Sequence, residues 1–291
     1  MNLRAWIHAA RPKTLGAAVA PVIVGSAVAC KFGGVSMNLL LLACTLLACV
    51  GLQVATNWFN DALDFQKGAD TAARLGPQRI TASGLVTPAQ VFTAAAFMLL
   101  ATIILAVPLI QVRGWPILVI GLPSLYFCYG YTGGPVPLAY RGLGELFVIL
   151  FFGFVAVLGS AYVQCGQWLE QAWVAGLQIG CLSTVLVAVN NLRDEPEDKT
   201  TGKRTLAVRF GPRFARWEIT LLVVVAFALG YYWVQQGVVL ACYFSLIALP
   251  FGLRVIQQVW TQQGKTLNVV LAQAGAVLLL FMAGFTVGLF C

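Results

Sequence analysis

The chain has 291 residues, 60% of them hydrophobic and 10% charged, with a mean hydropathy of +0.86. A water-soluble domain carries roughly a quarter charged residues, so composition excludes one and points to an all-α, polytopic membrane protein. The net charge of +8 needs no nucleic-acid partner, because membrane topology accounts for it.

Residues 1–14 are short and basic, with Trp6 and Ile7 beside Arg4, Arg11 and Lys13. They suit an amphipathic turn or two at the membrane interface, with Pro12 at a helix start. Nine apolar runs follow, at about 14–32, 37–58, 89–110, 115–132, 143–163, 171–190, 217–235, 238–256 and 267–289. Each is near the ~20 residues that a spanning helix needs. The runs are continuously apolar rather than alternating, which excludes a β-barrel. The first is read as a retained membrane helix. The eight cysteines include no C-x-x-C pair and lie mostly within these runs. They read as small buried hydrophobes, not as metal ligands or a disulfide framework.

The loops set the expected orientation. With the N-terminus in the cytoplasm, only Lys31 and Arg113 of the 18 Lys and Arg residues fall on the far side. This positive-inside asymmetry puts the C-terminus on the far side of a bacterial inner membrane. The two long loops, about 59–88 and 191–216, are then cytoplasmic. They carry seven of the ten acidic residues: Asp61, Asp64, Asp70, Asp194, Glu195, Glu197 and Asp198.

These acids fall in two similar segments, Asn57 to Asp70 and Asn190 to Asp198, each closing an apolar run and each followed by basic residues. The pattern reads as a weak internal repeat within one transmembrane domain, with halves at about 1–135 and 136–291. Repeats of this kind frame a site between two halves. If the helix persists, Asn57, Asp61 and Asp64 stand at i, i+4 and i+7, on one face. Asn190, Asp194 and Asp198 do the same at i, i+4 and i+8, provided that Pro196 does not break the helix. Hard oxygen ligands suit Mg²⁺, which takes one or two carboxylates and fills its sphere with water and phosphate oxygens. Lys67, Arg74 and Arg79 trail the first segment, and Arg193, Lys199, Lys203 and Arg204 surround the second. Carboxylates with metal and bases attract a diphosphate.

The two segments resemble the paired aspartate motifs of the UbiA intramembrane prenyltransferase family. The stretches are Asn60-Asp61-x-x-Asp64-Phe65-x-x-Gly68-x-Asp70 and Asn190-Asn191-x-Arg193-Asp194-x-x-x-Asp198, with Gly202-Lys203-x-Thr205-Leu206 following. Arg11-Pro12-Lys13-Thr14-Leu15, Arg74-Leu75-Gly76-Pro77 and Tyr131-Thr132-Gly133-Gly134-Pro135, the last running into Tyr140-Arg141-Gly142-Leu143-Gly144-Glu145, are similar to the branch that prenylates 1,4-dihydroxy-2-naphthoate.

The resemblance implies nine transmembrane helices around a central cavity open to the cytoplasmic side. It also implies a polyprenyl diphosphate donor, Mg²⁺, and an aromatic acceptor that loses CO₂ on prenylation. On that basis Asp61, Asp64, Asp194 and Asp198 are expected to bind metal and act in catalysis. Asn57, Asn60, Asn190 and Asn191 bind or orient substrate, and Lys67, Arg79 and Lys203 hold phosphate oxygens. Asp70, at uneven spacing, is left outside the ligand set. Tyr126, Tyr129 and Tyr131 read as an interfacial aromatic belt, with Tyr131, at the head of a Gly-rich turn, the one to face the reacting carbon. His8 is the sole histidine, and the sequence names no general base. Asp61→Ala or Asp194→Ala is expected to abolish turnover in a folded protein. The rivals are a family member with another aromatic acceptor and a cation-coupled transporter. A transporter wants acids at mid-bilayer, where these runs carry almost none.

Overall fold

Backbone groups in lipid must bond within the chain, so apolar runs of this length fold as helices. The computed structural model describes residues 3–69, 75–76 and 79–291, and among these there is no strand. Asp70, Arg74 and Pro77, singled out in the sequence, lie outside the described residues.

A short amphipathic helix, α1 (Leu3–Ala10), leads into α2 (Pro12–Phe32), with Pro12 in the first helical turn. The break between them is Arg11, which alone among the described non-glycine residues has a positive φ, of 54°. Then come α3 (Leu39–Gln66), α4 (Pro88–Arg113), α5 (Trp115–Gly130), α6 (Gly144–Cys165) and α7 (Glu170–Thr200). The short α8 (Leu206–Phe210) precedes α9 (Pro212–Gln235), α10 (Val239–Thr261) and α11 (Gly264–Phe290). Among the described residues eight helices are long and apolar enough to cross a membrane, not nine. The remaining apolar run, 115–132 in the sequence, folds as the 16-residue α5. Even so, α5 passes between the two ends of the bundle. At its start Arg113 donates to the carbonyls of Val163 and Gln164 at the end of α6, at 2.8 and 2.6 Å. Just past its end the Thr132 hydroxyl donates to Asn60 near the end of α3.

The exterior is greasy where lipid would lie: Leu39, Phe97, Leu122, Leu221 and Ile247 are exposed. The core centres on α7, the most buried of the long helices. Its Gln178 is fully buried, accepting from the Trp233 indole N–H at 2.7 Å and donating to the Ala226 carbonyl at 2.8 Å. That pairing offsets the cost of an amide in an apolar core.

The long α6 contains a π-helical stretch, Ile149–Val155. Gly153 in this stretch abuts α7, where a Cβ would meet the Gly176 carbonyl oxygen at 2.6 Å and the Gly180 Cα at 2.9 Å. The missing side chains let the two backbones close up. The extra residue of the π turn shifts the register of the aromatic face. Phe147 and Phe151 stack at 4.3 Å, and Phe127 and Tyr131 pack on Phe147 at 5.2 and 5.3 Å.

Candidate active site

The two acidic helices end in the same way. In α3, Gly68 has φ 68°, its N–H bonds to the Phe65 carbonyl at 3.0 Å, and Ala69 N–H reaches back to the Asp64 carbonyl at 2.9 Å. In α7, Gly202 has φ 76°, and Lys203 N–H reaches back to the Asp198 carbonyl at 3.0 Å. Both are left-handed glycine caps with the long back-bond of the Schellman motif. Asp64 and Asp198 therefore hold the same place, one turn from the end of their helices. Pro196 does not interrupt α7, which runs through it to Thr200. All of Asp61, Asp64, Asp194 and Asp198 are at least nine-tenths buried.

The two ends meet at one cation. The Lys203 ammonium lies 3.9 Å from an Asp64 oxygen and 4.0 Å from an Asp198 oxygen. Tyr140, in the short 3-10 turn Leu138–Tyr140, ties the group together. Its hydroxyl donates to Asp64 at 2.8 Å, and its ring lies 4.1 Å from the Lys67 ammonium and 5.4 Å from that of Lys203. Lys67 also donates to the Thr132 carbonyl at 2.5 Å. Burial lowers the Lys67 pKa below the ordinary lysine value, with Asp64 opposing and the Lys203 charge adding to the fall.

The other named residues brace this centre. Asp61 accepts from the backbone N–H groups of Ile80 and Thr81 at 3.1 and 3.0 Å and from the Thr81 hydroxyl, so it anchors the segment that carries Arg79. The Arg79 guanidinium donates to Asp64 at 2.8 Å. Arg193, 2% exposed, clamps both oxygens of Asp194 at 2.7 and 2.6 Å, and donates to Asn190 at 2.6 Å and Asn268 at 2.7 Å. Asn268 in turn donates to the Leu75 carbonyl at 3.0 Å, which ties the second segment to the loop after the first. Asn57 donates to the Ala10 carbonyl at 3.0 Å and fixes the N-terminal helix. Asn60 accepts from Thr132. Asn191 donates to Glu145 at 2.7 Å.

Tyr131 lines the central cavity, whereas Tyr126 and Tyr129 are exposed. Nothing in the sequence pattern marks Tyr140, Thr81, Asn268 or Glu145 as site residues. Tyr140 and Glu145 lie in the family-like stretch Tyr140-Arg141-Gly142-Leu143-Gly144-Glu145, but only their tertiary partners give them a role.

Part of this group lines a cavity of about 1180 Å³, while Asp194, Asp198 and Lys67 stand behind its wall, reaching it through Arg193, Lys203 and Thr132. Its polar end carries Asn57, Asn60, Asp61, Asp64, Arg79 and Lys203. From there it runs along α3 as far as Thr45, about 24 Å at roughly 1.5 Å per residue. The far part is apolar, lined by Leu109, Ile117, Leu118 and Val163. A charged head over a long greasy channel matches an amphiphile with an anionic group at one end. Among the described residues no three His, Cys, Asp or Glu side chains gather into an all-protein metal cage. Mg²⁺ needs only one or two carboxylates when phosphate supplies further oxygens. Asp64 and Asp198, already straddling a cation, fit that requirement.

The UbiA prenyltransferase family model matches residues 18–285. The chain belongs to the UbiA prenyltransferase family. It is 36% identical over 280 residues to the 1,4-dihydroxy-2-naphthoate octaprenyltransferase of Mycobacterium tuberculosis, covering 95% of this chain and 93% of that one. It is 31% identical over 296 residues to the enzyme of the same name from Haemophilus influenzae, covering 99% and 96%. Among solved structures, a UbiA homolog from Aeropyrum pernix K1 superposes with a TM-score of 0.72 at 18% identity, over 95% of this chain and 98% of that one. A UbiA homolog from Archaeoglobus fulgidus, bound to GPP and Mg²⁺, superposes with a TM-score of 0.69 at 16% identity, over 99% and 100%. The chain is thus a multi-pass membrane prenyltransferase with the UbiA fold.

Proposed function

We propose that this prenyltransferase moves a polyprenyl group from polyprenyl diphosphate to 1,4-dihydroxy-2-naphthoate, with loss of diphosphate and CO₂, in menaquinone biosynthesis. The observation that carries the reading is the polar head of the cavity, where Lys203 joins the two acidic helices above a channel long enough for a prenyl tail. The acceptor comes from the named relatives in two bacteria, each aligned over nearly its whole length.

Asp64 and Asp198 would hold Mg²⁺. Asp61 and Asp194 still have unused lone pairs beyond their internal partners and would support the same ion. When bound, the ion would supply charge neutralisation for the departing diphosphate. Lys67, Arg79 and Lys203 contribute to the same end from fixed positions, so little reorganisation is needed as the bond breaks. The apolar channel keeps the tail out of water and keeps water away from the electron-poor prenyl carbon. The Tyr131, Phe147, Phe127 and Phe151 rings stand beside that carbon and attract its positive charge. The acidic ends face the cytoplasm, the side to which the positive-inside asymmetry assigns them.

The test is purified protein with Mg²⁺, a polyprenyl diphosphate and a panel of aromatic acids, with products weighed by mass spectrometry. Prenylated naphthoquinol and CO₂ from the naphthoate, with no product from 4-hydroxybenzoate, is the expected result. Turnover of 4-hydroxybenzoate alone would reassign the acceptor. Full activity in chelator would remove the metal.

A further inference from the structure

Glu145 opens α6 and is 4% exposed. One of its oxygens accepts from the Asn191 amide at 2.7 Å. The other, Oε2, is buried with no hydrogen-bond partner among the described residues. An unpaired carboxylate oxygen in such a place is costly and calls for a function. The residue lines the central cavity, as does Tyr131. The Tyr131 hydroxyl sits 2.9 Å from where a Cβ on the adjacent Gly144 would be, and the Glu145 partner Asn191 lies on the acidic helix α7, one residue from Asn190, which binds Arg193. Glu145 thus flanks the diphosphate-binding head, on the side of the aromatic wall. An acceptor ring must occupy that position, because the carbon that it attacks is bonded to the diphosphate.

We infer that Glu145 Oε2 is the proton acceptor for the acceptor's ring hydroxyl, a catalytic residue for the transfer. The inference rests on the proposed naphthoate acceptor. The C–O bond between the prenyl group and diphosphate breaks, and its electron pair leaves with diphosphate. The carboxylate-bearing ring carbon bonds to the prenyl carbon while the neighbouring hydroxyl loses its proton to Oε2 and becomes a ketone. CO₂ then departs, its bonding pair restores the aromatic ring, and the resulting oxyanion recovers the proton from Glu145. Nothing else is consumed, and the carboxylate ends as it began.

Full-length protein bearing Glu145→Gln tests this, because a glutamine still accepts from Asn191 but cannot take the proton. With Mg²⁺, farnesyl diphosphate and the naphthoate, turnover falls about 100-fold or more, the usual range for general-base catalysis. Binding of farnesyl diphosphate, read by calorimetry, stays near wild type. The variant's rate climbs with pH as the naphthol ionises by itself, while the wild-type profile is flatter. Asn191→Ala, which leaves the carboxylate in place, is less damaging and shows no such climb. A Glu145→Gln enzyme that keeps its rate, loses donor binding in step, unfolds, or matches Asn191→Ala at every pH overturns the assignment. Failure of the wild type itself on the naphthoate would instead strike the proposed acceptor.

Discussion

Asp194 and Asp198 lie four residues apart on one helix, yet their partners differ in kind. Asp194 is locked to a guanidinium that is 2% exposed, whereas Asp198 faces an ammonium whose side chain is 19% exposed. Removing one partner of a buried pair strands the other charge, at a cost of about 3–5 kcal/mol. A partly exposed pair contributes less than about 1 kcal/mol. Asp194→Ala is therefore expected to lose both turnover and several kcal/mol of stability, and Asp198→Ala to lose turnover alone. Thermal melts beside a diphosphate-release assay separate the two, and equal melting temperatures would refute the distinction. The sequence alone expects Asp194→Ala to fold normally, since it gives the spacing of the aspartates but not the neighbour that Asp194 neutralises. The periodic placement of Asn57, Asp61 and Asp64 is legible because a helix repeats every 3.6 residues. The bonds from Ile80, Thr81 and Tyr140 are not, because they depend on where the loops return.

At the level of elements, the two acidic helices are placed by how they stop. Each needs a residue with positive φ, and glycine takes that conformation without a Cβ clash. At Gly202 the stop also sets the direction of Lys203, the next residue. Gly202→Ala is expected to cost about 1 kcal/mol and, by turning Lys203 away from Asp64 and Asp198, to raise the KM for prenyl diphosphate. Gly237 is the control. It has the same φ of 76° with no atom within 4 Å of a Cβ, and it follows α9, away from the acidic segments. Gly237→Ala should share the stability loss and leave KM alone, and equal KM values in the two variants would disconnect the cap from the site. Glycine after an acidic run is a readable stop signal. The persistence of α7 through Pro196 is not, since packing on both sides of α7 outweighs the lost hydrogen bond. The shortness of α5 escapes the sequence too, because its apolar run continues into residues that turn back over the site.

On the scale of the whole molecule, exposed apolar side chains form the belt and the charged groups gather at one end. That much follows from composition, because lipid rejects both unpaired backbone and unpaired charge. Which end faces the cytoplasm is a proposal that rests on Lys31 and Arg113 being the only basic residues assigned to the other side. Arg113 is in addition held by the Val163 and Gln164 carbonyls, so it serves as a helix cap as well as a charge. The chain supplies its own probe in Cys291, the terminal residue and the only exposed cysteine among the described residues. If the basic, acidic end is cytoplasmic, the nine crossings expected from the sequence leave Cys291 outside. A membrane-impermeant maleimide added to intact cells should then label the protein, and Cys291→Ser should abolish the label. Cysteines introduced at Lys199 and Arg204, beside the second acidic segment, should react only after the membrane is broken. Labelling of those two positions in intact cells, with Cys291 protected, would invert the molecule and put the diphosphate head on the outer side of the membrane.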